Sequence, residues 1–140
     1  MIVGLDTNVL ARYYLGGHDA DAATARQQQA ARRLLEGGQS LLVCKTVLLE
    51  LEGVMRGVYA CTRAQFAAVL EHLLASPQVV IEDRLAVETA LAAHRGGLDF
   101  ADALHLATCR SCDKMASFDD RKFARRAARL GLTPKVSAPR

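Results

Sequence analysis

Residues 2–8 read IVGLDTN, and residues 9–15 continue VLARYYL. Ile2, Val3 and Leu5 suit a short buried strand, and the run after Asn8 suits a helix. Asp6 stands between them. A carboxylate at the point where a core strand stops is costly unless something pairs with it. Asp6 therefore either caps the following helix or holds a cation. The rest of the chain bears on that choice.

Four more short apolar runs read as strands: 41–44 (LLVC), 78–81 (QVVI), 114–117 (KMAS) and 134–136 (PKV). Helical patterns fill the intervals. The first covers 8–15, and after the turn GGHDAD a polar-faced one covers about 20–36, closed by Gly37 and Gly38. TVLLELEGVMR predicts a helix over 46–56, closed by Gly57. Thr62 and Gln65 form a Thr-x-x-Gln capping box. It opens a helix with Phe66, Val69, Leu70, Leu73 and Leu74 at helical spacing, and Pro77 lies beyond its end. Further helices are predicted over about 83–95, 99–112 and 120–130. There is no internal repeat. Short buried strands alternating with helices give the α/β class, with a parallel sheet covered on both faces. In such sheets ligands bind beyond the carboxyl ends of the strands.

The 140 residues suit one domain over 1–140. The chain is 51% hydrophobic and 24% charged, with 5% aromatic residues and no Trp. No apolar stretch approaches the ~20 residues of a membrane span, and no signal-peptide pattern opens the chain. A cytoplasmic location is expected, with no membrane partner, and four reduced cysteines fit it. Cys44 and Cys61 sit in apolar surroundings. Cys109 and Cys112 form a single CxxC, CRSC, which reads as two helix residues, since one such pair is weak support for zinc. The net charge of +3 is unevenly spread: residues 110–140 carry nine Lys or Arg against three Asp, and residues 1–109 carry nine against twelve acids. That asymmetry permits a polyanionic partner.

Acids stand at the strand ends. Asp6 follows the first strand, and Asp119 and Asp120 follow the fourth, in SFDD. Asp99 and Asp102 open a helix in LDFADALHLA, where they also read as a capping pair. Glu50 lies within VLLELEGVM, where residues 47, 48, 51, 54 and 55 are apolar; it is expected to be crowded and in need of a partner, with Glu52 nearer solvent. If four carboxylates shared one rim, each close pair at ~4 Å would cost about 4 kcal/mol at an effective dielectric near 20. A divalent cation removes that cost, and hard cations such as Mg²⁺ take oxygen ligands.

Four motifs in this order resemble the PIN domain family, and within it the VapC-like toxin ribonucleases. VGLDTN is similar to the opening Asp-x-Asn motif, and TVLLELEGVM to the helix carrying the second acid, here Glu50. LDFADALHLA resembles the third motif, with its acid at Asp102. ASFDDRKFARRA resembles the fourth, usually Thr-Phe-Asp, with its acid at Asp119; Ser117 stands where Thr is usual, and Asp120 doubles the acid. The resemblance spans nearly the whole chain. It implies a three-layer α/β/α fold with a central parallel sheet of order 3-2-1-4-5, which places Asp6 centrally with Glu50 to one side and Asp119 to the other.

The resemblance also implies a hydrolase: a ribonuclease dependent on Mg²⁺ (or Mn²⁺), in which Asp6, Glu50, Asp102 and Asp119 are catalytic and hold the metal. Thr7, Asn8, Asp99, Ser117 and Asp120 are implied as auxiliary or ligand-orienting groups. Arg121, Lys122, Arg125, Arg126 and Arg129 fall on one side of the last helix and are candidates for RNA backbone contact. His105 stands one turn beyond Asp102, either as a plain helix residue or as an assistant near substrate; His18, His72 and His94 have no catalytic neighbours. By analogy the partners are RNA, a VapB-like antitoxin and a second copy in a homodimer, with Tyr13, Tyr14 and Leu15 as exposed contact groups. Two other readings compete. A haloacid-dehalogenase-like phosphohydrolase would use Asp6 as nucleophile, but it wants a second Asp at position 8, which is Asn. A non-catalytic PIN scaffold binding RNA or protein typically lacks the acids that are present here.

Overall fold

The structure is a computed structural model that describes residues 1–17 and 20–140. His18, and with it part of the turn GGHDAD, lies outside the described residues. The chain forms two compact units, 1–82 and 83–140.

The first unit runs β1 (Ile2–Gly4), α1 (Thr7–Tyr14), α2 (Ala22–Leu35), β2 (Ser40–Val43), α3 (Lys45–Gly57), α4 (Arg63–Ala75) and β3 (Val79–Ile81). Its strands form one parallel ladder with β2 in the middle, Val3 beside Leu41 and Leu41 beside Val79. Leu41 and Val43 are fully buried, as alternation requires. The α4 capping box forms as read: Thr62 Oγ1 accepts the Gln65 N–H at 3.1 Å, and Gln65 Oε1 accepts the Thr62 N–H at 2.8 Å. Phe66, Leu70 and Leu73 are buried along the same helix. Cys44, at the start of α3, has no capping side chain; Glu82, just after β3, supplies one by accepting the Lys45 N–H at 2.8 Å. Gly38, at φ 82°, turns the chain from α2 into β2 in a conformation that favours glycine.

The second unit runs α5 (Arg84–Arg95), α6 (Phe100–Thr108), β4 (Lys114–Ala116), a π-helical turn (Asp120–Ala124), α7 (Arg125–Arg129) and β5 (Lys135–Ser137). The helices α5 and α6 pack on one another, with the His94 and Phe100 rings edge to face at 5.7 Å. A Cβ at Gly96 would lie 2.8 Å from a Leu130 methyl, so a larger residue at this turn would make the leucine side chain shift. The strands β4 and β5 pair in parallel, Met115 beside Val136.

Within each unit the pairing agrees with part of the expected order: β3-β2-β1 in the first and β4-β5 in the second. Several expectations are corrected. Two strand side chains read as buried are exposed, Ile2 at 53% and Val80 at 47%. An apolar run reads alike whether one or both faces are covered. The sixth helix was predicted to reach residue 112 but ends at Thr108, so CRSC is a turn. The last predicted helix begins as a π turn. No helix among the described residues is long and apolar enough to cross a membrane.

Candidate functional site

In the second unit the acids gather around the start of α6. Asp99 is the N-cap of α6, and its Oδ2 accepts the Asp102 N–H at 3.2 Å. Both side chains are half-buried. Burial, then the neighbouring Asp99 and Asp119 carboxylates, pushes Asp102 above the usual carboxylate range, while His105 pulls the other way. Asp119 is exposed and caps the π turn, its Oδ1 accepting the N–H groups of Lys122 at 2.9 Å and Phe123 at 3.3 Å. The Ser117 hydroxyl accepts the Asp119 N–H at 3.1 Å. Asp120 pairs instead with Arg125, at 3.2 Å on the surface.

In the first unit Asp6 caps α1, with Oδ1 accepting the Thr7 N–H at 2.8 Å. The capping readings of Asp6, Asp99 and Asp119 therefore hold, yet each cap uses only one carboxylate oxygen. Among the described residues the other oxygen of each has no hydrogen bond. The Thr7 hydroxyl is buried with no hydrogen-bond partner, an orphan polar group beside Asp6. Asn8 is exposed and faces a 410 Å³ groove between α1 and α2 lined by Arg12, Gln27 and Leu34.

The expected burial of Glu50 is reversed. Glu50 is exposed, whereas the Glu52 side chain is only 12% exposed and pairs with Arg56 at 3.0 Å. Helix phase explains it. The buried stripe of α3 is Leu48, Leu51 and Met55, and Glu52 lies four residues after the first and three before the last. Glu50 is about 200° around the helix from Leu48. Glu50 thus stands in water and does not need the partner that crowding would have demanded.

Two further corrections concern contact residues. Arg126 is half-buried and directed at the Gly97 carbonyl at 3.4 Å, so it does not share the exposure of Arg121, Lys122, Arg125 and Arg129. Tyr13, Tyr14 and Leu15 are half-buried rather than exposed; the Tyr13 hydroxyl donates to Glu36 at 3.1 Å, and the Tyr14 hydroxyl lies 2.6 Å from His72 Nδ1. Phe118 is a further exposed residue at this strand end. It stands between Ser117 and Asp119 and is 83% exposed. A Phe within SFDD invites a core assignment, and only its neighbours, two acids and then Arg121 and Lys122, point to the surface.

The donors are all oxygens: carboxylates and hydroxyls. Among the described residues no three His, Cys, Asp or Glu stand together as a finished ligand set. Mg²⁺ does not need one, because it is typically held by one or two carboxylates and keeps water in its remaining positions. Within the second unit, mutually repelling carboxylates, two of which keep an oxygen that accepts no hydrogen bond, fit a hard cation. A family model described as PIN domain matches residues 3–129. A search of curated proteins and a search of solved structures each found no significant match.

Proposed function

The chain belongs to the PIN domain family, and from that premise we propose that it is a metal-dependent endoribonuclease, the VapC-like toxin of a toxin–antitoxin pair. PIN domains are generally nucleases and typically use divalent metal ions. The observation that carries the reading is the carboxylate group of the second unit, where partial burial first, and then the Asp99 and Asp119 charges, raise the proton affinity of Asp102. Charges so arranged favour a cation over solvent.

Asp6, Glu50, Asp102 and Asp119 are the proposed catalytic and metal-holding carboxylates. A bound Mg²⁺ or Mn²⁺ supplies Lewis acidity at the scissile phosphate and a more acidic water. Asp99 orients Asp102 by holding its backbone N–H. Ser117 fixes the backbone of Asp119 in the same way, and Asp119 rather than Asp120 is the fourth acid, because Asp120 is engaged with Arg125. Thr7 and Asn8 orient groups beside Asp6. On the RNA side, exposed Arg121, Lys122 and Arg129 neutralise phosphates, and the Phe118 ring offers a face on which a base stacks.

The finer architecture belongs to the same proposal: one PIN-like domain over 1–140, three layers, and strand order 3-2-1-4-5, supported by the 3-2-1 and 4-5 ladders. So do the partners, an RNA substrate, a VapB-like antitoxin and a second copy, and a cytoplasmic location. The test is cleavage of a structured RNA with Mg²⁺ or Mn²⁺, with EDTA, and with Asp6→Asn and Asp102→Asn. Cleavage is expected only in the metal-supplied wild type. Activity that survives chelation, or either substitution, overturns the reading.

A further inference from the structure

We propose that Cys109 and Cys112 are a dithiol modification site, closing reversibly to an intramolecular disulfide by exchange with a small-molecule disulfide of the glutathione class. The nuclease reading makes no use of CRSC, and the inference does not depend on it.

The local geometry is that of a pair held ready. The helix α6 ends at Thr108, and Cys109 is its C-cap. The Cys112 N–H donates to the Cys109 carbonyl at 2.8 Å, which closes a four-residue turn. Such a turn keeps its end Cα atoms within about 7 Å, and disulfides span about 4.4–6.8 Å between Cα atoms. The turn is clamped from inside. Arg110 makes a two-pronged contact with Asp83, at 3.0 and 3.2 Å, and donates to the Ala107 carbonyl at 3.1 Å. Cys109 is half-exposed and Cys112 exposed, so an oxidant reaches both. Partial desolvation first, then the Cys109 thiol and Asp113, push Cys112 up, which lowers its thiolate fraction and slows the exchange without preventing it. Among the described residues no third ligand joins the pair, which disfavours a closed tetrahedral zinc site.

The exchange balances without further reagents. One protein thiolate attacks a sulfur of glutathione disulfide, forming a mixed disulfide and expelling one glutathione thiolate. The second protein thiolate attacks the protein sulfur of that mixed disulfide and expels the other. The two cysteines lose two electrons and two protons, and one glutathione disulfide becomes two glutathiones. The new bond ties the end of α6, whose first turn carries Asp102, to the approach to β4, which leads to Ser117 and Asp119.

The test treats the full chain with glutathione disulfide and reads intact mass and alkylation by iodoacetamide. The expected product is monomeric, lighter by two hydrogens, with two thiols open to alkylation instead of four; dithiothreitol restores all four. Trypsin cutting after Arg110 puts the two cysteines on separate peptides that stay joined only through the bond. Cys109→Ser and Cys112→Ser should each stop at one glutathione adduct. Four alkylatable thiols after oxidation overturn the proposal. So do a lasting glutathione adduct on either cysteine of the wild type, a link to Cys44 or Cys61, or a disulfide between two chains.

Discussion

Asp99 caps the helix that carries Asp102, with 3.2 Å between its Oδ2 and the Asp102 amide nitrogen, and its negative charge also makes Asp102 harder to ionise. One residue thus stabilises the helix and strains the acid it presents. A helix N-terminus welcomes negative charge, while a second carboxylate nearby opposes it. For Asp102, burial and the two acids outweigh the favourable pull of His105.

Replacement of Asp102 by Asn should therefore separate stability from activity. The folded pKa of Asp102 lies above its unfolded value, so the folded state binds the proton more tightly. The resulting stabilisation is present at low pH and is lost as pH rises through the raised folded pKa. Urea midpoints of wild type against Asp102→Asn across the acid range should show this slope in the wild type and a shallower one in the variant. At neutral pH the variant should be as stable as the wild type or more so. Its cleavage rate should fall by more than about 100-fold, since loss of even an outer-shell partner of a metal typically costs about 10–100-fold.

The same repulsion predicts that divalent metal stabilises the fold. A ligand at 100 times its dissociation constant adds about 2.7 kcal/mol, and for a chain of this size each kcal/mol raises the melting midpoint by a few degrees, roughly 2–6 °C. Thermal unfolding in Mg²⁺ or Mn²⁺ should show a rise that EDTA abolishes and that Asp102→Asn diminishes. An equal rise in both proteins would mean that the cation acts elsewhere.

The α3 acids offer a reciprocal pair of substitutions. Glu52, sheltered and paired with Arg56 at 3.0 Å, supports the helix; Glu50, exposed, does not. Glu52→Ala should lower stability by about 0.3–0.5 kcal/mol, the usual worth of a pair four residues apart, and leave cleavage nearly intact. Glu50→Gln should leave the urea midpoint within about 0.5 kcal/mol and sharply reduce cleavage. The opposite pattern would transfer the second acid to Glu52.

Where the sequence spoke through neighbours three or four residues apart, it was legible. The Thr62–Gln65 box and the Asp99–Asp102 cap are local hydrogen-bond patterns, and both form as read. The strands β1 to β3 were legible from β-branched and Leu runs flanked by turns. Glu50 and Glu52 were not, because in an apolar-rich helix either one fits a solvent face until the buried stripe is known. The end of α6 was hidden because Cys109, Arg110, Ser111 and Cys112 carry no helix-stopping glycine or proline. The π turn at Asp120–Ala124 likewise leaves no compositional mark. Arg126 looked like its basic neighbours, yet its carbonyl partner, Gly97, lies 29 residues away in sequence.

The basic residues after Asp119 should therefore divide under salt. Arg121, Lys122 and Arg129 are exposed and carry no structural ion pair among the described residues, whereas Arg125 is paired with Asp120 and Arg126 is directed at Gly97. Each phosphate contact contributes roughly 0.7 to the salt slope for single-stranded nucleic acid. Arg121→Ala and Lys122→Ala should each flatten the dependence of log affinity on log salt by about that amount for single-stranded RNA and leave the melting midpoint unchanged. Arg126→Ala should do the reverse, lowering the midpoint with little change in slope. Fluorescence anisotropy over a salt series in EDTA, where no cleavage occurs, reads the slope, and thermal unfolding reads the midpoint. Equal slopes for all three variants and the wild type would remove this helix from the RNA surface and leave its charge as a solvated face.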